Sequence, residues 1–295
     1  MPELPDITVY VEALERRLKG QVIEEVRLAS PFLLRTVEPS LDEAIGKKVV
    51  DIRRLGKRVV LGLDDDLWLV FHLMIAGRFH WKKRGAKLAG RHALAAFDFA
   101  NGSLTLTEFG PKKRASLHVV RGEDGLAEHD PGGIEVLDAD LDSFKEALTR
   151  ENHTLKRTLT DPHLFSGIGN AYSDEILHRA RLSPKAMGVK LDADEIRRLY
   201  ESTRSTLTDW LERLRAEAGE DFPETVKAAR AGMAVHGRFN EPCPDCGTPV
   251  QRLRRQDSES NYCPRCQTNG EILADRSTAQ LFKGSRPRTI EDLAS

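Results

Sequence analysis

All four cysteines of this 295-residue chain lie between positions 243 and 266, as Cys243-Pro-Asp-Cys246 and, sixteen residues on, Cys263-Pro-Arg-Cys266. Two C-x-x-C pairs at that separation present four thiolates from two turns, the set a tetrahedral structural zinc needs. With every coordination position filled by protein, such a metal holds a fold and performs no chemistry. One structural Zn2+ per chain is therefore expected, and any reaction must be sought elsewhere.

The other end of the chain offers a reagent. In Met1-Pro2-Glu3-Leu4-Pro5-Asp6, loss of the initiator methionine exposes Pro2 as a secondary amine. An α-amino group has a pKa near 7.7–8.0 against about 10.4 for lysine, so roughly a tenth of it is neutral at pH 7. An imine-forming enzyme gains a nucleophile there, and Glu3 beside it can donate and accept protons. A proline at position 2 means little alone and gains force only in company. The company is Ser166-Gly167-Ile168-Gly169-Asn170-Ala171-Tyr172. Here a glycine-rich turn feeds a helix, whose free N–H groups and dipole can hold a phosphate, with Asn170 as a further donor. The same glycines also suit tight helix packing.

Several elements must position these groups. Ile7, Tyr10, Val11, Leu14 and Leu18 recur at helical spacing, so a helix is predicted over 5–19, with Pro5 in its first turn and Gly20 at its stop. Over 21–121 the period changes to short β-rich runs: Val22-Ile23, 49–52, 59–61, 67–70, 95–99 and 104–106. Broken by Gly, Asn and Asp, they suggest an antiparallel sandwich. Asp130-Pro-Gly-Gly133 reads as a linker, and 141 to about 231 as helical, clearest at 143–150 and 194–214. The expected organisation is α+β and multidomain: a β-sandwich with a leading helix over 1–130, a linker over 131–140, a helical domain over 141–234, a zinc finger over 235–267 and a C-terminal extension over 268–295.

At 40% hydrophobic residues the chain can bury a real core. No apolar run approaches membrane-spanning length, and no cysteine is left over for a disulfide, so a cytoplasmic protein is expected. The net charge is −1, which requires any nucleic-acid function to rest on a local basic face. Four basic runs exist: Arg53, Arg54, Lys57 and Arg58; Lys82 to Arg91; Lys112, Lys113 and Arg114; and Arg252, Arg254 and Arg255. One such run reads as a solvated face, but four in a neutral chain, with acidic residues gathered elsewhere, suit a phosphate backbone.

Taken together these motifs resemble the formamidopyrimidine-DNA glycosylase and endonuclease VIII family of repair enzymes. The resemblance rests on the Pro-Glu-Leu-Pro start, Lys57 on an early strand and His72-Leu73 leading to Ala76-Gly77. It continues through Gly167 to Tyr172 and through His236-Gly237-Arg238 running into the finger. It implies a β-sandwich and a helical domain with a helix–two-turn–helix element and zinc finger. The implied activity is excision of oxidised bases flipped out of damaged DNA. Pro2 would attack C1′, Glu3 would move the proton, and the imine would lead to strand cleavage by elimination. Lys57 and Asn170 would grip flanking phosphates, and His92 matches a DNA-contacting histidine. A monomer is expected, nucleoid-associated when bound to DNA.

The departures are specific. Ser258 stands where the family has a phosphate-gripping arginine, so Arg254 or Arg255 is expected to take over that grip, and δ-elimination is expected to weaken. Asp6 replaces the usual glutamate. Met74 and Ile75 occupy the position of a wedge methionine, while Phe109 or one of Lys112, Lys113 and Arg114 serves as the wedge or as the contact to the orphaned base. The short stretch from Phe222 to His236 leans the substrate choice to oxidised pyrimidines, abasic sites or single-strand damage. The basic stretch Lys283 to Arg288 adds a DNA contact or packs on the protein. The rival readings are a catalytically silent DNA binder on the same scaffold, and a zinc-ribbon assembly module.

Overall fold

The computed structural model describes residues 1–110, 112–224, 230–255, 258–274 and 288–293, with the side chains of 255 and 258 left aside. Two compact units result: Met1–Pro131 with Trp210–Ala228, and Gly132–Asp209 with Ala229–Ser295.

The first unit opens with α1 (Leu4–Leu18). Its start is fixed by reciprocal capping: the Glu3 N–H donates to the Asp6 carboxylate at 2.9 Å, and Pro5 fills a first-turn position that needs no N–H donor. The shorter side chain of Asp6 therefore suits its capping task. Ile7, Tyr10, Leu14 and Leu18 form the buried face, as the helical spacing required.

Two four-stranded antiparallel sheets follow. One has the order β1 (Glu25–Leu28), β6 (Ala93–Phe99), β7 (Gly102–Glu108), β5 (Gly77–Lys82). The other runs β2 (Val49–Leu55), β3 (Arg58–Leu63), β4 (Leu67–His72), β8 (Ser116–Arg121). Between them Phe71 meets Phe79 and Phe97 edge-on at centroid distances of 5.3 and 5.4 Å, and Tyr10 meets Phe79 at 5.6 Å. β3 and β4 are apolar on both sides because Val60, Trp68 and Val70 pack outward against Leu126 of α2 (Gly122–Ala127). Two sequence expectations need correction. Val22-Ile23 is not a strand: Val22 makes a single bridge to Lys48, and β1 begins at Glu25. Lys57 lies not on a strand but in the two-residue turn between β2 and β3, where Gly56 has φ +59°. A left-handed first position followed by an ordinary second one is the turn a right-twisted hairpin favours.

The second unit contains α3 (Leu141–Thr149), α4 (Leu155–Thr160), α5 (Asn170–Arg179) and the start of α6 (Ala193–Ala218), whose residues from Trp210 on group with the first unit. α5 is its centre: every residue from Ala171 to His178 is buried. The finger follows as the hairpin β9 (Gln251–Arg255) and β10 (Ser258–Tyr262), then α7 (Pro264–Thr268). Past the finger, Glu271 bridges Thr289 and the Ile272 N–H donates to the Arg288 carbonyl at 2.8 Å, so the extension returns to the finger's end. Of the basic tail stretch, 283–287 lie outside the described residues, as do 225–229 of the segment between Phe222 and His236. No helix among the described residues is long and apolar enough to cross a membrane.

Candidate active site and zinc centre

The first unit assembles Pro2, Glu3 and Lys57 around the N-terminus. Pro2 and Glu3 are buried, and Lys57 is half-buried. Burial drives the α-amine of Met1 below its ordinary pKa, Glu3 opposes, and the nearby cations Arg78 and Lys57 add to the lowering. A neutral amine is the form that attacks carbon. Arg78 was not singled out from the sequence; its guanidinium donates to the Ile75 and Gly77 carbonyls at 3.1 and 2.6 Å, which fixes it below the loop before β5.

That loop, Leu73–Gly77, is tight. The Gly77 N–H bonds the Leu73 carbonyl at 2.9 Å, and a Cβ at Gly77 would stand 2.3 Å from that oxygen, so only glycine fits. Met74 is held at φ +53° and Ile75 is 58% exposed. Beside it, the Phe109 N–H donates to Ala76 at 3.3 Å, and Phe109 is 63% exposed. His92 stacks on the Phe109 ring at 4.5 Å, with its Nδ1 3.2 Å from the Glu108 carbonyl. The buried Glu108 carboxylate organises the following loop by accepting the N–H groups of Arg114 and Ala115, the former at 2.9 and 3.0 Å. Lys113 donates from its ammonium to the Glu108 carbonyl, while Lys112 and Arg114 are exposed. The basic run at 53–58 is partly absorbed: Arg53 pairs with Glu123 at 2.7 Å and lies 4.4 Å above the Trp68 ring.

In the second unit the Gly167–Gly169 turn, with Gly167 at φ +79°, opens α5 at Asn170. The Asn170 amide donates to the Glu259 carbonyl at 2.6 Å, tying the turn to β10. A primary amide has a second hydrogen, so this bond is compatible with a further acceptor. The Glu259 carboxylate sits between Arg252 at 3.5 Å and Arg254 at 3.6 Å, and Arg252 also stacks 3.9 Å over Phe239. Arg254 is exposed; the strand register sets Ser258 opposite Arg255, whose side chains lie outside the described ones. Sequence reading missed two acids of α5. Asp174 binds the Lys156 ammonium at 2.5 Å, His236 Nδ1 at 2.8 Å and the Asn261 N–H at 3.0 Å. Glu175 accepts the N–H groups of Ala234, Val235 and His236 at 2.6, 2.9 and 2.9 Å. They are the two acids of α5, and nothing along the chain beside them announces these distant partners.

The four cysteine sulfurs lie within 4.8 Å of one another, Cys243 to Cys266 at 3.9 Å and Cys246 to Cys263 at 3.4 Å. A tetrahedron with Zn–S bonds of about 2.3 Å sets sulfurs about 3.8 Å apart, so the cluster fits one Zn2+. The Cys266 N–H points at the Cys263 sulfur at 3.5 Å, and the Cys263 N–H donates to Gln267 at 2.8 Å. These bonds hold the second pair of ligands at the start of α7.

A proline-led helix on a β-sandwich, a glycine turn opening a buried helix and a four-cysteine hairpin are the parts of a helix–two-turn–helix DNA glycosylase. Models of three domains match the chain in order: the formamidopyrimidine-DNA glycosylase N-terminal domain over 1–114, its H2TH domain over 133–218, and the zinc finger found in FPG and IleRS over 240–269. The chain belongs to the formamidopyrimidine-DNA glycosylase and endonuclease VIII family. It is 33% identical over 281 residues to the formamidopyrimidine-DNA glycosylase of Heliobacterium modesticaldum, covering 90% of this chain and 100% of that protein. An uncharacterized formamidopyrimidine-DNA glycosylase-like protein of Mycobacterium tuberculosis is 38% identical over 151 residues, which cover 51% of this chain and 94% of that one. Among solved structures, Lactococcus lactis Fpg bound to DNA containing an abasic site superposes with a TM-score of 0.80 at 26% identity, covering 90% of this chain and 99% of that one. A complex of the same glycosylase with DNA containing an oxidised pyrimidine also gives 0.80 at 26%, covering 90% and 100%.

Proposed function

We propose that this protein is a bifunctional DNA glycosylase and AP lyase that removes oxidised bases through an imine on Pro2. The observation that carries the reading is the placement of buried Pro2 beside buried Glu3, at a chain terminus within electrostatic reach of Glu3, Lys57 and Arg78. After loss of Met1, the Pro2 nitrogen attacks C1′ of the flipped nucleotide and the bond to the base breaks. The base leaves with a proton, and Glu3 moves protons at the sugar as its ring opens. The cationic imine then acidifies C2′; loss of that proton expels the 3′ phosphate and cuts the strand.

Lys57, in its turn, and Asn170, at the start of α5, are assigned to phosphates flanking the lesion. A lysine presented from a hairpin turn offers a point charge, and the helix start adds N–H groups. Ile75 and Phe109 are assigned to the space left by the extruded base, since both are large, apolar and exposed on loops joined by the Phe109–Ala76 hydrogen bond. Lys113, engaged with Glu108, is less suited to that task than Phe109. Arg254 is assigned the phosphate grip that Ser258 lacks, with His92, Lys112 and Arg114 as further contacts.

Incubation with duplexes carrying an oxidised purine, an oxidised pyrimidine or an abasic site tests this reading. Release of the free base together with strand cleavage is expected on at least one. Tight binding to the abasic duplex with no base release and no cleavage on any would instead make the protein a silent binder.

A further inference from the structure

Beyond Asp174 and Glu175, α5 sends a third side chain to the finger. His178 lies one turn after Asp174 on the same face. It is 4% exposed, and its Nε2 stands 3.3 Å from the sulfur of Cys243, itself 2% exposed. His178, Asp245 and Cys266 also place one ligand-capable atom each within 4.8 Å of one another, so the imidazole borders the metal position.

The direction of this contact follows from the chemistry of the finger. A zinc-bound cysteine is a thiolate and carries no hydrogen, so in the contact with Nε2 the ring must donate and the sulfur accept. Four thiolates and one Zn2+ carry a formal charge of about −2. Buried charge of that kind is held by donors aimed at the sulfurs, as the Cys266 amide is aimed at Cys263. His178 supplies such a donor from outside the finger, on the helix whose first residue is Asn170.

We propose that His178 is a positioning residue of the zinc centre, donating Nε2–H to the Cys243 thiolate so that retention of the metal depends on α5. The residue touches no group assigned to the reaction, and the proposal stands whether or not Pro2 forms an imine. Losing the donor leaves a buried thiolate short of one hydrogen bond, more basic and more readily protonated, so that the metal passes faster to a competing chelator.

The test is the rate at which the full-length, zinc-loaded protein releases its metal to an excess of a chromophoric chelator. His178→Phe keeps a buried ring without the donor, and His178→Gln keeps a donor of similar reach. Release is expected to be about 10–100-fold faster in the phenylalanine variant and close to wild type in the glutamine variant. Equal rates for wild type and His178→Phe would overturn the proposal, as would a glutamine variant as fast as the phenylalanine one. Should His178→Phe fail to fold, the unmutated protein decides. With an NMR-active cadmium isotope in place of zinc, the ring proton on Nε2 should show a coupling to the metal through the sulfur. Absence of that coupling, or a direct metal–nitrogen coupling making His178 a ligand, would refute the assignment.

Discussion

Removal of the Glu175 carboxylate should release the segment that leads into the finger. Its Oε1 accepts the N–H groups of Val235 and His236, both at 2.9 Å, and its Oε2 accepts that of Ala234 at 2.6 Å. A hydrogen bond to a charged group contributes about 1.5–3 kcal/mol, and each buried donor left unpaired costs about 1–3 kcal/mol. Three bonds to one carboxylate do not add independently, and water can reach the half-buried amides of 234 and 236. Glu175→Ala should therefore cost about 3–5 kcal/mol. Glu175→Gln behaves differently: its carbonyl oxygen can keep Val235 and His236, while its NH2 faces the Ala234 N–H, donor against donor. That variant should cost about 2 kcal/mol. Amide hydrogen exchange on a peptide spanning 234–236 reads the effect locally, with urea unfolding of the zinc-loaded protein as the global measure. The order of exchange should be alanine variant, then glutamine variant, then wild type. An alanine variant within about 1 kcal/mol of wild type, or a glutamine variant equal to it, would refute the reasoning.

Three further outcomes follow from the same geometry. Glu259→Gln removes the carboxylate between Arg252 and Arg254 and should tighten DNA binding with a steeper salt dependence, whereas Arg254→Ala should lower the slope by about one; anisotropy titrations at several salt concentrations decide. Burial holds His72 and His118 down at about 4, so both are neutral in the fold, while the unfolded chain takes up protons below about 6.5. Their contribution is present above pH 6.5 and is lost as pH falls toward 4, so the urea midpoint should drop between pH 7 and pH 5, and less so in His72→Gln. Stripping zinc with a chelator should unfold the finger, seen as fast amide exchange over 240–269, because without the metal that joins its four cysteines the short segment has little else to fold around.

Much of the fold was legible because its signals are local. The C-x-x-C spacing, the helical period over Ile7 to Leu18 and the glycine turn before Asn170 each lie within a few residues. Lys57 reads as a strand residue although Gly56 before it marks the turn it occupies, because the β-rich runs on either side mask a two-residue connection. α2 escaped notice because Gly122 and Gly125 give it poor helix propensity, and its formation rests on Leu126 packing against Trp68 and Val70. The finger–helix contacts of Asp174, Glu175 and His178 were not legible at all. Their partners lie some 60 to 87 residues away, and nothing in a buried acid's neighbours along the chain announces three amides waiting for it. The same holds for Arg53, which reads as part of a basic run along the chain but is engaged by Glu123 and Trp68 in the fold.

The central claim is that the Pro2 nitrogen forms a covalent imine with the sugar. Its most direct test is borohydride trapping on a duplex carrying an abasic site, using protein confirmed to lack Met1, with the modified peptide located by mass spectrometry. A reduced adduct on the N-terminal peptide at Pro2, lost in Pro2→Gly, is the expected result. No adduct, or an adduct on a lysine side chain that persists in the glycine variant, would contradict the account.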